Sequence, residues 1–384
     1  MGAPEILDYL ERCKTLVLPE LRRIVPEGPL AEILYDRMLE YPRRSAKALR
    51  PALCIATCRA LGGGLEAALP TAAVLELYHN AFLVHDDIED GSELRRDAPT
   101  LHTTFGIPIA INIGDAMLAL ALTPLLDNTR TVGLGRALRV LRIVADMARI
   151  SAEGQALELE WIRAQRFDLT DADYVDMVER KTSHYSFVAP LLAGAVLAGL
   201  RDDETAVLRD FGRELGVAFQ IQDDVLNLTE DYGKERDGDL YEGKHTLILL
   251  HLLRTATPAE RERVIDVLAK PRMMFAGSQS PLRTLRSAVD EAKRDLDLSV
   301  AGALERAFER VERALTPSAK TADDVAMLKS LALRYGSVAH AHGVAREWAA
   351  RAAMSFDALR PRLRPSRDAE FLHDLVAYVV DRSR

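Results

Sequence analysis

The sequence has few cysteines and no cysteine motif. Its 384 residues include three, Cys13, Cys54 and Cys58, and no Cys-x-x-Cys pair. Three thiols do not make a paired disulfide framework, which fits a reducing compartment. Cys54 and Cys58 lie four apart on an apolar helix and could clip a metal ion, but buried structural thiols are the favoured interpretation.

Long apolar runs and a basic excess are also missing. No stretch of eighteen apolar residues occurs, and the start MGAPEILDYLERCK shows no basic-then-apolar signal pattern. MGAPEI lacks the Ser or Thr of a myristoylation site. We therefore expect a cytoplasmic protein without a transmembrane segment. The formal net charge of −8 argues against nucleic acid as a partner, because a phosphate backbone requires a basic surface.

Strand signals are absent as well. Val, Ile and Thr alternate with polar residues over no convincing run, whereas apolar residues recur at helical spacing along the chain. The length fits one large helical domain or two ordinary ones, and with no dividing linker we predict a single all-α domain over 1–384. The predicted helices span 4–24, 30–40, 45–61, 67–90, 107–127, 132–163, 171–198, 203–228, 244–253, 258–269, 281–296, 298–315, 322–355 and 367–383.

An acidic cluster ends the apolar helix in LYHNAFLVHDDIEDGSELRR, residues 77–96. Asp86, Asp87 and Asp90 precede Gly91, at the negative end of the helix dipole, where each acid is disfavoured by roughly 0.3–1 kcal/mol. A solvated acidic surface is the ordinary reading. A divalent cation reverses the argument, because Asp86 and Asp90 share a face and Asp87 can reach a second ion or a water. Oxygen donors alone favour Mg²⁺.

A second stretch, FQIQDDVLNLTEDYGKERDGDLYEGKHT over residues 219–246, repeats this chemistry. Asp223, Asp224 and Asn227 lie on an apolar helix, and basic residues follow on a glycine-bearing loop. Arg95 and Arg96, which follow the first cluster, could pair with its aspartates or clamp a phosphate. If the two helix ends face each other, their carboxylates surround one site and the basic residues lie at its edge. Such a site is suited to a magnesium diphosphate.

These motifs resemble those of the trans-isoprenyl diphosphate synthases, the polyprenyl synthetase family, from about residue 40 to the C-terminus. DDIED with Arg95 and Arg96 resembles the first aspartate-rich motif of the family, and FQIQDDVLN with the lysines behind it resembles the second. The resemblance implies a helical bundle around a central cavity, and a homodimer. It also implies Mg²⁺-dependent condensation of isopentenyl diphosphate with an allylic diphosphate (dimethylallyl, geranyl or farnesyl).

The resemblance also implies roles for individual residues. The predicted metal-binding residues are Asp86, Asp87, Asp90, Asp223, Asp224 and Asn227. Arg95, Lys181 and Lys234 would contact the allylic diphosphate, with Lys244 nearby, and together with Asp86, Asp87, Asp90 and Asp223 they form the predicted catalytic set. Lys47, Arg50, His79 and Arg96 would bind isopentenyl diphosphate, although His79 could instead be a core histidine. Thr182 and Gln220 would lie near the carbocation.

Two residues on the first helix bear on product length. Phe82 is four residues before Asp86 and about one turn (~5.4 Å) deeper, and Ala81 precedes it. Family members with bulky residues at both positions resemble fifteen-carbon synthases. Ala81 with Phe82 therefore implies a twenty-carbon product, geranylgeranyl diphosphate.

The sequence departs from the family pattern at several places. Ala46 and Asp97 replace glycines, and Asn227 replaces the last aspartate of the second motif. Residues from about Arg272 to Lys320 resemble an insertion of two amphipathic helices, which would pack on the body or on a partner.

Two rival functions remain open. A class I terpene cyclase would share the fold and the metal chemistry, and DDVLNLTED, residues 223–231, is a near miss to the cyclase metal triad. A cyclase has no use for a second diphosphate site, so Lys47, Arg50, His79 and Arg96 argue against it. A non-catalytic partner subunit of a heteromeric synthase would be expected to lose its aspartates, whereas this chain keeps five of the six.

Overall fold

The computed structural model of the chain describes residues 3–44, 47–229, 237–270, 281–295, 298–315 and 319–381. These residues are almost entirely helical, so the all-α prediction is confirmed. The first helices are α1 (Ala3–Ile24), α2 (Asp36–Met38), α3 (Glu40–Arg43), α4 (Leu49–Ala60), α5 (Leu65–Glu89), α6 (Leu101–Phe105), α7 (Ile107–Leu120), α8 (Leu122–Asp127), α9 (Thr129–Val132) and α10 (Leu134–Arg163). A π-helical turn, Ala31–Tyr35, precedes α2.

The second half of the chain continues the bundle. Its helices are α11 (Asp171–Val178), α12 (Ala189–Ala198), α13 (Ala206–Thr229), α14 (Gly238–Glu242), α15 (Leu247–Thr255), α16 (Pro258–Leu268), α17 (Pro281–Ala292), α18 (Leu298–Leu315), α19 (Ala322–Arg334), α20 (Ser337–Leu359) and α21 (Arg367–Asp381). A π-helical segment, Glu179–Val188, joins α11 to α12 without a break. Short 3₁₀ turns occur at Asp202–Glu204, Lys293–Asp295 and Arg360–Arg362.

A small hairpin follows α5 and was not predicted. Strand β1 (Leu94–Arg95) pairs antiparallel with β2 (Ala98–Pro99). Between them Arg96 and Asp97 have φ values of 54° and 60°. Positive φ at both loop residues is the requirement of a two-residue type I′ turn, and Asp is one of the residues that tolerate it. Two-residue strands are too short to show any alternation in the sequence.

Several predicted helix boundaries were wrong. The predicted helix 30–40 is broken into the π turn, α2 and α3. The predicted helix 45–61 begins only at Leu49, because Ala48 takes a left-handed φ of 50°. Lys47 therefore precedes the helix and does not share a helical face with Arg50. The predicted helix 322–355 is two helices, since Gly336 at φ 68° separates α19 from α20.

Two adjoining hydrophobic clusters form the core. The larger one joins α1, α4, α5, α12 and α21, and the smaller one joins α11, α15, α16, α19 and α20. Helix α13 contributes to both, through Phe211 and Leu215 in the larger cluster and Val217 and Ile221 in the smaller. All three cysteines are free and buried. That residues 1–384 form a single domain stays a prediction.

The predicted insertion contains two helices, α17 and α18. They pack against each other, with Val289 and Phe308 buried and Leu285 and Val300 exposed. Residues 271–280, 296–297 and 316–318 lie outside the described residues, as do Ala46 and Lys234.

Two helical stretches within the described ranges are long and apolar enough to cross a bilayer on length and composition. The apolar window of Leu65–Glu89 is 72% buried, as expected of a core helix, whereas that of Ile107–Val132 is 33% buried. Two such stretches are a weak indication of membrane insertion, and the absence of a transmembrane segment stays a prediction.

Candidate active site

One cavity of about 1370 Å³ brings the two acidic helix ends together. Asp86 at the end of α5 and Asp223 on α13 both line it, which meets the condition on which the predicted diphosphate site depends. The other predicted site residues in its lining are Lys47, Arg50, His79, Phe82, Arg95, Arg96, Lys181, Thr182, Gln220, Asp224, Asn227 and Lys244. The structure places Asp87, Asp90 and Ala81 outside this lining, and Lys234 lies outside the described residues.

Asp86 lies between two cations. Lys181 Nζ is 3.4 Å from one of its carboxylate oxygens, and Arg95 Nη2 is 3.5 Å from the other. Lys181 also donates a hydrogen bond to Glu158, a buried acid on α10. Gly154 makes this contact possible, because a Cβ there would lie 2.3 Å from the backbone nitrogen of Lys181. The close approach of α10 to the π-helical segment thus sets Lys181 beside Asp86.

Asp87 is fully buried and held by protein groups. Tyr41 donates its hydroxyl to Asp87 Oδ2 at 2.5 Å, and Arg95 Nε donates to Oδ1 at 2.8 Å, with a second bond from Arg95 Nη2. Two charge-assisted hydrogen bonds to one carboxylate oxygen restrict the orientation of the guanidinium group. Arg95 is therefore held between Asp87 and Asp86, where it lines the cavity.

Asp90 pairs with Lys244 from the second motif. Lys244 Nζ lies 2.7 Å from Asp90 Oδ2 and 2.7 Å from Glu242 Oε2. Burial, together with the nearby charge of Asp86, raises the pKa of Asp90 to about 7, while Lys244 opposes this rise. The first and second motifs are therefore joined directly, although Asp90 itself does not reach the cavity.

A hydrogen-bonded chain runs through the second motif. Thr182 donates to Gln220 at 2.8 Å, and Gln220 donates to Asp224 Oδ1 at 2.8 Å. Tyr174 donates to Asp224 Oδ2 at 2.7 Å. Burial, with Asp239 and Asp223 close by, raises the pKa of Asp224 to about 8. Asn227 accepts a bond from the backbone N–H of Asp239 at 3.2 Å.

The acidic part of the cavity suits a divalent cation. Its donors are carboxylate and amide oxygens, the ligands preferred by Mg²⁺. Burial, and then the neighbouring carboxylates, raise the pKa values of Asp90 and Asp224, so the nearby lysines and hydrogen bonds only partly offset the cost of keeping these groups charged. Asp86 and Asp223, which line the cavity from opposite helices, are the residues best placed to hold such an ion.

A basic cluster lines another part of the cavity. Arg50 donates at 2.7 Å both to the Tyr185 hydroxyl and to Ser186. Arg96 donates to the backbone oxygen of Tyr41 at 2.8 Å, and Lys47 to the Tyr378 hydroxyl at 3.3 Å. Burial, with Arg95 and Arg50 nearby, lowers the pKa of Arg96 despite the opposing charge of Glu76. A bound anion would relieve this repulsion.

The cavity wall below the aspartates is apolar. Phe82 lies edge-on to Tyr185 at 5.5 Å and to Tyr78 at 5.9 Å between ring centroids. Small residues of α10 and one side chain of α7 complete this wall: Ala148, Ser151, Ala152 and Ala156, with Leu118 opposite. Ala81 is fully buried and packs in the core. Of the two residues that the sequence associated with product length, only Phe82 reaches the cavity.

Sequence reasoning missed Glu158, Tyr174, Tyr41 and Tyr185. Glu158 did carry a signal, because it stands in the otherwise apolar or small buried stripe of α10. The tyrosines carried none, since a tyrosine on an apolar helix face is ordinarily core.

Comparison with known proteins decides the family. The family model described as "Polyprenyl synthetase" matches residues 32–274. The chain belongs to the polyprenyl synthetase family. The short chain isoprenyl diphosphate synthase of Methanothermobacter thermautotrophicus is 34% identical to it, over 69% of this chain and 80% of that protein. The predicted trans-prenyltransferase activity is thereby confirmed.

Solved structures of polyprenyl synthetases share the fold. The geranylgeranyl pyrophosphate synthetase of Pyrococcus horikoshii superposes with a TM-score of 0.77 at 26% identity, covering 100% of both chains. A polyprenyl synthase of Caulobacter crescentus, in complex with calcium and isoprenyl diphosphate, gives a TM-score of 0.74 at 26% identity and covers 98% of each chain.

Proposed function

We propose that this trans-prenyltransferase is Mg²⁺-dependent and condenses isopentenyl diphosphate with an allylic diphosphate to give all-trans geranylgeranyl diphosphate. One observation carries the proposal. A single cavity joins two acidic helix ends, a separate basic cluster and an apolar wall. A condensation of two diphosphates requires two anion sites and a channel for the growing tail, and this cavity offers all three.

The allylic diphosphate would lie at the acidic end. Bound Mg²⁺ would supply charge neutralisation for the departing diphosphate. Asp86 and Asp223 would hold the metal, with Asp224 and Asn227 beside Asp223, while Arg95 and Lys181 donate to the diphosphate oxygens. Asp87 would contribute indirectly, because its hydrogen bonds hold the guanidinium group of Arg95 in place.

Isopentenyl diphosphate would occupy the basic cluster of Lys47, Arg50, His79 and Arg96. Arg50 and Arg96 are held by hydrogen bonds to Tyr185, Ser186 and the backbone of Tyr41. Prior fixing of these cations reduces the entropy lost when the anion binds. The negative charge of Asp97, beside Arg96, would weaken this site relative to a glycine.

The reaction follows from this arrangement. The allylic C–O bond breaks and its electron pair leaves with the diphosphate, whose developing charge Arg95 and Lys181 stabilise. The double bond of isopentenyl diphosphate then attacks the allylic carbon, and a proton is lost to form the new double bond. Oxygen dipoles of Thr182 and Gln220, which are hydrogen-bonded to each other, would stabilise the carbocation. The released diphosphate is a candidate base.

Product length would be set where the tail meets Phe82. Small residues on α10 leave room beside the Phe82 ring, so the ring narrows the cavity without closing it. A geranylgeranyl product fits this partial restriction, and the structural relative from Pyrococcus horikoshii is named for the same product.

The same observations support the two rival functions less well. A terpene cyclase handles one diphosphate and gives no reason for the basic cluster. A non-catalytic subunit would have no need of Asp90 and Asp224, two buried carboxylates whose pKa values are raised by burial and by neighbouring acids.

We further propose a homodimer through α7, α8 and α10. These helices expose large apolar side chains: Ile107, Ile109, Ile111, Leu122, Leu126, Leu134 and Leu138. Helix α8 contacts both α7 and α10, and exposed large apolar side chains on neighbouring helices are typical of a protein interface. Pairing of two copies would cover Ile107–Val132, the less buried of the two long apolar helical stretches. This arrangement is in keeping with a cytoplasmic protein.

The test is incubation with isopentenyl diphosphate, Mg²⁺ and each allylic starter in turn, followed by phosphatase treatment and identification of the prenyl alcohols. Geranylgeraniol is the expected main product. Cyclic hydrocarbon from geranylgeranyl diphosphate alone would favour the cyclase, and an inactive protein that becomes active only with a second polypeptide would favour the subunit.

A further inference from the structure

Lys320, the last residue of the predicted insertion, is a buried lysine that supports the second motif. The residue is 2% exposed, and its Nζ donates to the backbone oxygen of Tyr241 at 3.0 Å. Gly243 makes room for the ammonium group, because a Cβ at Gly243 would lie 2.9 Å from Lys320 Nζ. The φ of Gly243, 75°, also favours glycine. Lys320 thus holds the C-terminal end of α14.

Lys329, two turns into α19, holds the other end. Its Nζ lies 2.8 Å from Asp237 Oδ1. Asp237 is the residue before α14 and has a left-handed φ of 57°. Its backbone N–H donates to the carbonyl of Asn227 at 3.3 Å. Both ends of α14 are therefore bound by lysines from one neighbouring segment.

Helix α14 needs such support. It has five residues, and isolated helices of this length are unstable in water. Yet α14 carries Asp239, which lines the cavity, and Glu242, which pairs with Lys244. The backbone N–H of Lys244 in turn donates to the carbonyl of Asp239 at 3.0 Å.

The segment that supplies the two lysines is itself fixed. Thr321 and Asp324 form a capping box at the start of α19. Lys270, two residues after the end of α16, donates to both oxygens of Asp324 at 2.8 and 2.9 Å. Lys320 therefore extends from a defined point.

We infer that Lys320 and Lys329 are positioning residues, which hold α14 at both ends and thereby place Asp239 and Lys244 in the cavity. The inference rests on the proposed function of this cavity. Loss of either lysine should loosen α14, and Lys244 with it, on the acidic side of the site. The basic cluster that would take isopentenyl diphosphate lies on other elements and should be unaffected.

The variants to compare are Lys320→Met, Lys329→Gln and Lys329→Arg. We expect the first two to raise the KM for the allylic diphosphate and the Mg²⁺ concentration for half-maximal activity by about tenfold, the effect of one lost charge-assisted hydrogen bond. The KM for isopentenyl diphosphate should stay within twofold, and Lys329→Arg should restore wild-type values. Lys293→Met, which removes an ion-paired lysine within the insertion, is the matched control and should behave as wild type.

Trp161 gives a measurement independent of turnover. Its ring centroid lies 6.5 Å from that of His245, the residue after Lys244. In a Trp348→Phe background, emission can be followed during titration with Mg²⁺ and inorganic pyrophosphate. Lys320→Met and Lys329→Gln should weaken the apparent affinity by about tenfold.

The outcomes separate the inference from the proposed function. A wild-type protein that binds pyrophosphate but makes no prenyl product contradicts the proposed function alone. Unchanged constants in both lysine variants contradict the inference. So does a lower kcat with both KM values unchanged, because that pattern reports a smaller folded fraction. Should Lys320→Met fail to fold, Lys329→Gln still decides the question, because the Lys329 side chain is partly exposed.

Discussion

Arg96 and Asp97 show how backbone conformation at single residues shapes this site. Both have positive φ, which is uncommon outside glycine and costs energy that surrounding structure must supply. Here the β1–β2 pairing and the bond from Arg96 to Tyr41 supply it. The result is that adjacent arginines serve different regions, with Arg95 beside the aspartates and Arg96 in the basic cluster.

Phe82 is the residue on which product length should depend. We expect Phe82→Ala to lengthen the main product by at least one five-carbon unit, because the ring narrows the cavity one turn below Asp86. Product alcohols resolved by chromatography check this. Ala81→Ser, at a buried position outside the wall, is the control and should leave the distribution unchanged. An unaltered product from Phe82→Ala would mean that the tail takes another path.

His184 should make stability depend on pH. Burial lowers its pKa to about 4, from an ordinary value near 6.5, so the folded protein keeps this imidazole neutral while the unfolded chain can protonate it. Its contribution is present above about pH 6.5 and is lost as the pH falls toward 4. Between about pH 7.5 and pH 5 the wild type should lose about 2 kcal/mol more unfolding free energy than His184→Gln. Urea unfolding at the two pH values measures this, and parallel losses would contradict it.

At the scale of elements, α10 and the π-helical segment form a close pair. Gly154 lets their backbones meet, and Glu158 then bonds to Lys181. The sequence predicted a continuous helix over 171–198 but not its π-helical part, because a one-residue change in hydrogen bonding leaves the apolar spacing nearly intact. Lys181, which lies on this π-helical segment, consequently lines the cavity.

The amphipathic helices were the most predictable elements. Residues 4–24 and 298–315 were predicted to within one residue, because each has a strong apolar stripe and a clear end. Helix α14 was missed since its five residues span barely more than one turn. The break at Gly336 was missed because the helical spacing resumes on both sides of it.

The insertion should be dispensable for folding. Its helices pack on each other, and the Lys270–Asp324 ion pair joins the chain on either side of it. We expect replacement of residues 272–318 by a short Gly-Ser linker to leave the fold and the KM values intact, provided that Lys320 is kept. Circular dichroism and steady-state assay test this. A second deletion that also removes Lys320 should raise the allylic KM, and equal behaviour of the two deletions would contradict the role given to that lysine.

At the scale of the molecule, the cavity forms between helices far apart in sequence. That Asp86 and Asp223 share it was predicted from chemistry, because crowded carboxylates are costly without a cation. The contacts behind them were not predictable. Tyr41 on Asp87 and Tyr174 on Asp224 depend on tertiary packing, which apolar spacing does not specify.

The proposed dimer can be broken on its exposed face. Leu126 is 56% exposed on α8, and we expect Leu126→Glu to place charge in the apolar interface and yield monomer. Light scattering on a sizing column reports the mass. Leu333→Glu, an equally exposed leucine on α19, is the control and should stay dimeric. A wild type that elutes as a monomer would contradict the proposal directly.

The Lys270–Asp324 pair has a consequence for how this protein can be built upon. Because it brings together Lys270 and Asp324, which lie on either side of the insertion, another folded module whose own termini lie close together could replace the insertion without separating the helices of the bundle. A downstream prenyl-consuming enzyme fused at this junction would receive the product beside its source, before it diffuses away.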